Sequence, residues 1–158
     1  MKIFAILGAV FGLAVSTAGI LHAQAAGPQT GDPLPQLSLN YLGSQPDLSG
    51  KPLVVEFWAT WCPPCLKSVP HLNDVYNKYK AKGLQIVGIT DEDEATVKKF
   101  QERVPMSYTV AINAPKDLYE QFGITGIPQA YLVDKSGKIV WIGHPLELTD
   151  KEIQRVLE

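Results

Sequence analysis

The chain contains only two cysteines, Cys62 and Cys65, separated by Pro63-Pro64. Two cysteines this close enclose almost no loop, so a bond between them does little to constrain the unfolded chain. A scaffold stapled by disulfides would carry more cysteines, more widely spaced. Reactivity therefore explains the pair better than stability does, and thiol-disulfide exchange is the chemistry such a pair performs. A zinc site needs four ligands, and beyond the pair only His71, His144 and carboxylates are on offer after the N-terminal segment. A purely structural disulfide, and binding of copper or a haem ligand by the two thiols, remain open alternatives.

The position of the pair matters. An apolar run from Leu53 to Trp58 predicts a strand, and a helix is predicted from about Pro63 to Lys82, with apolar Leu66, Val69, Leu72, Tyr76 and Tyr79 recurring every three or four residues. Gly83 is a fitting stop, and Lys78, Lys80 and Lys82 suit the negative end of the helix dipole. The cysteines thus sit where a strand gives way to a helix N-terminus. Unpaired N–H groups and about half a positive charge stabilise a thiolate there. The first cysteine of such sites has a pKa of about 3.5 to 7.5. Cys62 is expected to be the exposed nucleophile and Cys65, one turn on, the more buried resolving thiol. Pro63 and Pro64 carry no N–H, which removes donors that could bond the Cys62 sulfur and stiffens the turn.

Glu56 interrupts the apolar strand Val54-Val55-Glu56-Phe57-Trp58. A carboxylate buried there would raise its pKa and stay protonated near neutrality. It could then exchange a proton with Cys65, directly or through water, as general acid and base. The alternative is an outward-facing Glu without a role.

The remaining elements follow from periodicity and turn chemistry. Leu37 and Leu39 begin a short strand, and Leu84 to Ile89 is a buried-type strand. Thr90 and Asp93 suggest a capping box before a helix bearing Val97, Phe100 and Val104, ended by Pro105. Asp91-Glu92-Asp93-Glu94 reads as the solvated start of that helix; it lacks the glycine and spacing of a calcium loop. Tyr108 to Ile112 is a strand, Leu118 to Phe122 a short helix stopped by Gly123, and Ala130 to Val133 and Ile139 to Ile142 form a hairpin around Asp134-Lys135-Ser136-Gly137. Thr149 and Glu152 cap a last helix with Ile153, Val156 and Leu157 inward. Alternating strands and helices, then a hairpin and helix, indicate an α/β domain with a mixed sheet.

At the N-terminus, Lys2 precedes an apolar run from Ile3 to Leu21, and Ala23-Gln24-Ala25 offers a small-x-small cleavage motif. Residues 1–25 read as a secretory signal peptide, or alternatively as an uncleaved membrane anchor. Residues 26–35, rich in Gly, Pro, Gln and Asp, read as a flexible lead-in. Residues 36–158 form one domain, long enough to fold without staples. The formal net charge is −2, with no basic patch for nucleic acid and no polybasic run for a lipid surface.

Phe57-Trp58-Ala59-Thr60-Trp61-Cys62-Pro63-Pro64-Cys65 resembles the active-site segment of the thioredoxin superfamily. Combined with an export signal, the Trp-Cys-Pro-Pro-Cys form resembles its TlpA/ResA branch of extracytoplasmic thiol-disulfide proteins. Phe122-Gly123-Ile124-Thr125-Gly126-Ile127-Pro128 is similar to the family's stretch ending in a cis-proline, and Pro70 matches its helix-kinking proline. The resemblance covers about residues 34–158. It implies a thioredoxin-like fold, a central mixed β-sheet flanked by helices, with a helix inserted around residues 91–104. It implies a cis Pro128 against the cysteine pair, the Ile127 backbone pairing with an extended substrate, and Trp61, Pro63 and Pro64 in partner contact. Glu56 aligns with the buried acid of thioredoxins, commonly Asp. Many members of the branch carry a Glu three residues after the second cysteine, where this chain has Ser68. That difference removes the basis for inferring a substrate preference from those members.

The resulting expectation is a thiol-disulfide oxidoreductase acting on protein thiols and disulfides in the periplasm or otherwise outside the cytoplasm. It would act as a reductant recharged by a membrane electron donor, as family members commonly reduce apocytochrome or other envelope thiols. No prosthetic group and no metal are implied. The rivals are a disulfide oxidant or isomerase and a non-enzymatic dithiol chaperone for a metal or haem ligand. A peroxidase centred on one cysteine in a different motif fits less well.

Overall fold

The computed structural model describes residues 27–158. The segment read as a signal peptide or anchor, residues 1–25, lies outside them. Among the described residues no helix is long and apolar enough to cross a membrane.

Six strands form one sheet: β1 (Asn40–Tyr41), β2 (Leu53–Phe57), β3 (Gln85–Ile89), β4 (Thr109–Ile112), β5 (Gln129–Val133) and β6 (Ile139–Gly143), in the order β1-β4-β3-β2-β5-β6. β2, β3 and β4 are parallel, and β1, β5 and β6 run antiparallel to their neighbours. This is the thioredoxin-like mixed sheet. The helices are α1 (Pro63–Tyr79), α2 (Glu94–Gln101), α3 (Lys116–Gln121) and α4 (Asp150–Leu157). α1 and α2 are the crossovers that parallel pairing demands; α2 falls within residues 91–104, where the resemblance implies an inserted helix.

The alternation of β2 divides the core. Val55 and Phe57 face one side with Val87 and Ile89, covered by Leu118 and Phe122 and by Leu34, Leu37 and Leu48 of the N-terminal segment. Val54 faces the other side with Ile86 and Leu132, under Leu72 and Val75 of α1 and Ile153 and Val156 of α4. Trp58 continues that side beneath α2, against Val97 and Phe100 and beside both cysteines. The strands predicted from apolar runs lie in place: β2 to β5 are buried on both faces, and β6, at the sheet edge, is partly exposed. α1 ends as expected, followed by a one-turn 3₁₀ helix and Gly83, whose φ of 98° suits glycine. The capping box of Thr149 and Glu152 is formed.

Three local expectations are corrected. Leu37 and Leu39 precede β1 as packing residues, and only Asn40 and Tyr41 pair, antiparallel to Ile112 and Ala111. Asp93, not Thr90, caps α2, its carboxylate accepting from Thr96 N at 2.7 Å. Thr90 is fully buried and hydrogen-bonded to Glu92, so it is not free to cap. The lead-in is also more ordered than its composition indicated. Gly31 N donates to Ile139 O at 2.7 Å, Ile139 N to Asp32 O at 2.9 Å and Leu34 N to Gly137 O at 2.9 Å. The chain here covers the exposed edge of β6, whose backbone groups otherwise face water.

Gly88 of β3 pairs with Glu56 of β2 in parallel register. A Cβ on it would lie 2.9 Å from Trp58 Nε1 and 3.2 Å from the Tyr108 ring. Gly88→Ala is therefore expected to destabilise the fold by about 1–3 kcal/mol through overpacking, read from denaturant unfolding. Wild-type stability in that variant would mean that both rings move aside freely.

Candidate active site

The parallel strands β4, β3 and β2 point their carboxyl ends the same way, and the chain then returns to the opposite side of β2 as β5. The strand direction thus switches beside the end of β2, the usual place for function in open α/β sheets. Phe57, the last residue of β2, pairs with Gln129, the first of β5. The segment leaving β2 therefore meets the segment entering β5, bringing residues 62 and 128 together across 66 positions of sequence.

Ala59 to Cys62 turn sharply, Cys62 N donating to Ala59 O at 3.2 Å, and α1 begins at once. Cys62 is its N-cap. Pro63 and Pro64 occupy the first two helical positions, so the first donor free to meet the sulfur is Cys65 N–H, which reaches Cys62 Sγ at 3.3 Å. Both prolines thus concentrate the helix terminus on one N–H aimed at the Cys62 sulfur. Cys62 and Cys65 are joined as a disulfide. Ile127 and Pro128 share a cis peptide, and the Ile127 carbonyl oxygen lies 3.8 Å from Cys62 Sγ. The Tyr131 hydroxyl donates to Phe122 O at 2.8 Å and fixes the start of that loop.

Accessibility differs from the expectation. In the disulfide, Cys62 is 3% exposed and Cys65 not at all, so the first sulfur is far from an open nucleophile. The surrounding loops and the neighbouring Trp58 and Ala59 cover it. What faces solvent is Trp61, 70% exposed, with Pro63 and Pro64 beside it. Ser68, at the position where branch members carry Glu, is fully buried and donates to Pro64 O at 3.3 Å.

Glu56 is fully buried on the same face of β2 as Trp58, the face that α1 covers. The Tyr108 hydroxyl donates to its Oε2 at 3.3 Å, while Oε1 has no hydrogen-bond partner. Burial pushes the Glu56 carboxyl up to about 8, against the opposing effect of the Tyr108 bond. The group is therefore mainly a neutral acid near pH 7, with one oxygen uncommitted. The Tyr108 hydroxyl is raised well above its ordinary range by burial and by the neighbouring Glu56.

Two contributors were not legible in the sequence. Tyr108 opens an apolar strand, and nothing in its neighbours fixes the face it takes. Glu92 belongs to the acidic run read as solvated, yet its carboxylate accepts from Thr60 N at 2.7 Å and Thr60 Oγ1 at 2.5 Å. The register explains it: Phe57 pairs with Ile89, so the residues three beyond each, Thr60 and Glu92, leave the sheet side by side. Among the described residues, no three His, Cys, Asp or Glu side chains are grouped to hold a metal.

A disulfide at a helix start, faced by a cis-proline loop on a mixed sheet, defines a thioredoxin-like protein with a redox-capable cysteine pair. By its match over residues 30–142, the chain belongs to the AhpC/TSA family. It is 39% identical over 95 residues to the thiol-disulfide oxidoreductase ResA of Bacillus anthracis, covering 60% of this chain and 55% of that one. It is 31% identical over 113 residues to ResA of Halalkalibacterium halodurans, covering 71% and 64%. The match thus spans little more than half the length of the first of these relatives. Among solved structures, the thioredoxin domain of a thiol-disulfide oxidoreductase from Bacteroides vulgatus superposes with a TM-score of 0.72 at 30% identity, covering 84% of this chain and all of that one. A thiol:disulfide interchange protein of the thioredoxin family from Chlorobium tepidum gives 0.69 at 27% identity, covering 84% and 100%.

Proposed function

We propose that this protein is a thiol-disulfide oxidoreductase that reduces protein disulfides outside the cytoplasm. The observation that carries the reading is the Cys62–Cys65 pair at the start of α1, with its first sulfur against the Ile127 carbonyl. In the reduced protein the Cys62 thiolate, stabilised by Cys65 N–H and the helix terminus, attacks a substrate disulfide. One substrate sulfur leaves as a thiolate and a mixed disulfide forms. Cys65 then loses its proton and attacks Cys62 Sγ. The second substrate thiol is released and the protein is left as its disulfide. Two electrons pass to the substrate.

Glu56, its carboxyl pushed up to about 8, would take the Cys65 proton in its carboxylate form, the minor form near pH 7, and return it in its acid form, through its uncommitted oxygen and an intervening water. The exposed Trp61, with Pro63 and Pro64, forms the partner-facing rim. The Ile127 backbone beside Pro128 offers hydrogen bonds to an extended substrate segment. Apocytochrome and other envelope thiols are the substrate class that the resemblance to the TlpA/ResA branch implies, and a membrane electron donor would return the pair to the dithiol. The leader read in residues 1–25 supports export, with tethering as its alternative.

The test combines insulin reduction, the Cys62–Cys65 potential against glutathione, and alkylation of the protein in its own cells. Thiol-disulfide proteins span about −270 mV to about −120 mV, a difference of about 7 kcal/mol for two electrons. The reductant reading expects a potential toward the lower end and a mainly dithiol form in cells. A potential near −120 mV with a mainly disulfide form would make the protein an oxidant. Stoichiometric metal binding without insulin reduction would make it a chaperone.

A further inference from the structure

We infer that Glu92 is a positioning residue for the cysteine pair, its carboxylate clamping the turn that delivers Cys62 to the helix start. The inference rests on the oxidoreductase reading above. Both carboxylate oxygens are engaged by one residue: Oε2 accepts from Thr60 N at 2.7 Å and Oε1 from Thr60 Oγ1 at 2.5 Å. Thr60 is the second residue of the Ala59–Cys62 turn, so its N–H is a backbone donor of the catalytic loop itself.

Glu92 is in turn held by Thr90 and Asn113. Its N–H donates to Thr90 Oγ1 at 3.3 Å, and that hydroxyl donates to Oε2 at 3.1 Å. Its carbonyl accepts from Asn113 N at 2.9 Å, and Asn113 sits at a left-handed φ of 50°. Ala114 N donates to Thr90 O at 3.0 Å, and Thr90 is fully buried. The acid is thus a strut between the loop that opens α2 and the turn before Cys62. Asp93, its neighbour, does the separate work of capping α2.

Hydrogen bonds to a charged acceptor contribute more than neutral ones, and here two of them converge on a turn whose next two residues are Trp61 and Cys62. Releasing the turn lets the sulfur drift from the Cys65 N–H and the Ile127 carbonyl. Misplacement of about 1 Å can cost a reaction up to about 100-fold.

The experiment compares wild type with Glu92→Ala, Glu92→Gln, Thr60→Val and the Glu92→Ala/Thr60→Val pair in the full chain. The readouts are the rate of Cys62 carbamidomethylation by iodoacetamide in the reduced protein at fixed pH and the equilibrium constant with glutathione. Glu92→Ala is expected to change both by at least about threefold, well under the ceiling that misplacement allows. Glu92→Gln, which keeps one acceptor for Thr60 N–H, should recover part of the loss. Thr60→Val should show a smaller change, and the double variant should be no worse than Glu92→Ala, since both changes cut one interaction. Wild-type alkylation and equilibrium in a folded Glu92→Ala protein would overturn the inference, as would strict additivity. Equal effects of Glu92→Ala and Glu92→Gln with none from Thr60→Val would also overturn it, leaving charge alone as the agent. Should Glu92→Ala not fold, Thr60→Val decides: a wild-type response there overturns the clamp. Neither readout needs a protein substrate, so a wild type inert toward insulin would sink the proposed function without touching this result.

Discussion

Cys65→Ser is expected to accumulate covalent complexes with partner proteins, and Cys62→Ser to accumulate none. Both should lose catalytic insulin reduction to the assay background. The asymmetry follows from the helix start. Cys62 is the N-cap and receives the Cys65 N–H at 3.3 Å, while Cys65 lies inside the first turn with no exposed surface. A thiol of ordinary pKa, about 8.5, is only a few per cent ionised at pH 7, whereas a helix-start thiolate is largely formed, a gain of roughly 30-fold in attacking species. Without Cys65 the mixed disulfide has no internal resolver and persists. Cys62 is itself only 3% exposed in the disulfide, so the substrate must approach along the open side by Trp61. Non-reducing electrophoresis and mass spectrometry of captured complexes check this result. Trapping by the Cys62→Ser variant alone would reverse the roles of the two sulfurs.

Glu56→Gln is expected to make the protein more stable at pH 8 and slower in exchange. Burial holds the folded-state carboxyl near 8, against 4.5 for an ordinary Glu. Between those values the folded protein keeps a proton that the unfolded chain has lost. Stability therefore falls as pH rises through that window and levels off above it. The shift corresponds to about 4–5 kcal/mol lost by pH 8. Gln cannot ionise, so the stability difference between variant and wild type should grow from pH 4.5 to pH 8 in denaturant titrations. The exposed carboxylates with lowered values, Asp93 and Asp134 among them, act in the opposite sense and only in acid. A flat difference across the window would show that Glu56 ionises normally. The kinetic arm is a several-fold slowing of dithiol-disulfide exchange between pH 6 and 8, smaller than a full general-acid contribution of about 10²- to 10⁴-fold because water can substitute. Stopped-flow rates equal to wild type would reduce Glu56 to a packing residue.

These two expectations draw on different kinds of legibility. The cysteine pair could be read directly, because a strand, two prolines and a helical period fix its place at a helix start within a dozen residues. Glu56 could be flagged because a single acid in an apolar strand is conspicuous. Its partner could not, since Tyr108 lies 52 positions away and donates to it only through tertiary packing. The exposure of Cys62 differs from the expectation for a related reason. Being first in a helix opens a residue on one side, but the loops around Trp58 and Ile127 close over it from elsewhere in the chain.

Spacing along the chain places the reactive groups and the order of elements: two cysteines at a strand-to-helix junction, an acid in the preceding strand, apolar runs that must be buried, and the glycine and capping signals that bound the helices. These are local properties, set by spacing along a few turns of chain. The tertiary structure alone decided which polar groups meet. Glu92 stands in an acidic run that composition assigns to solvent, yet it faces Thr60 because β2 and β3 pair with Phe57 opposite Ile89. The same sheet sets Gln129 opposite Phe57 and so brings Ile127 to the Cys62 sulfur. Register is a relation between distant segments, fixed by the burial of whole faces, and no single segment carries it.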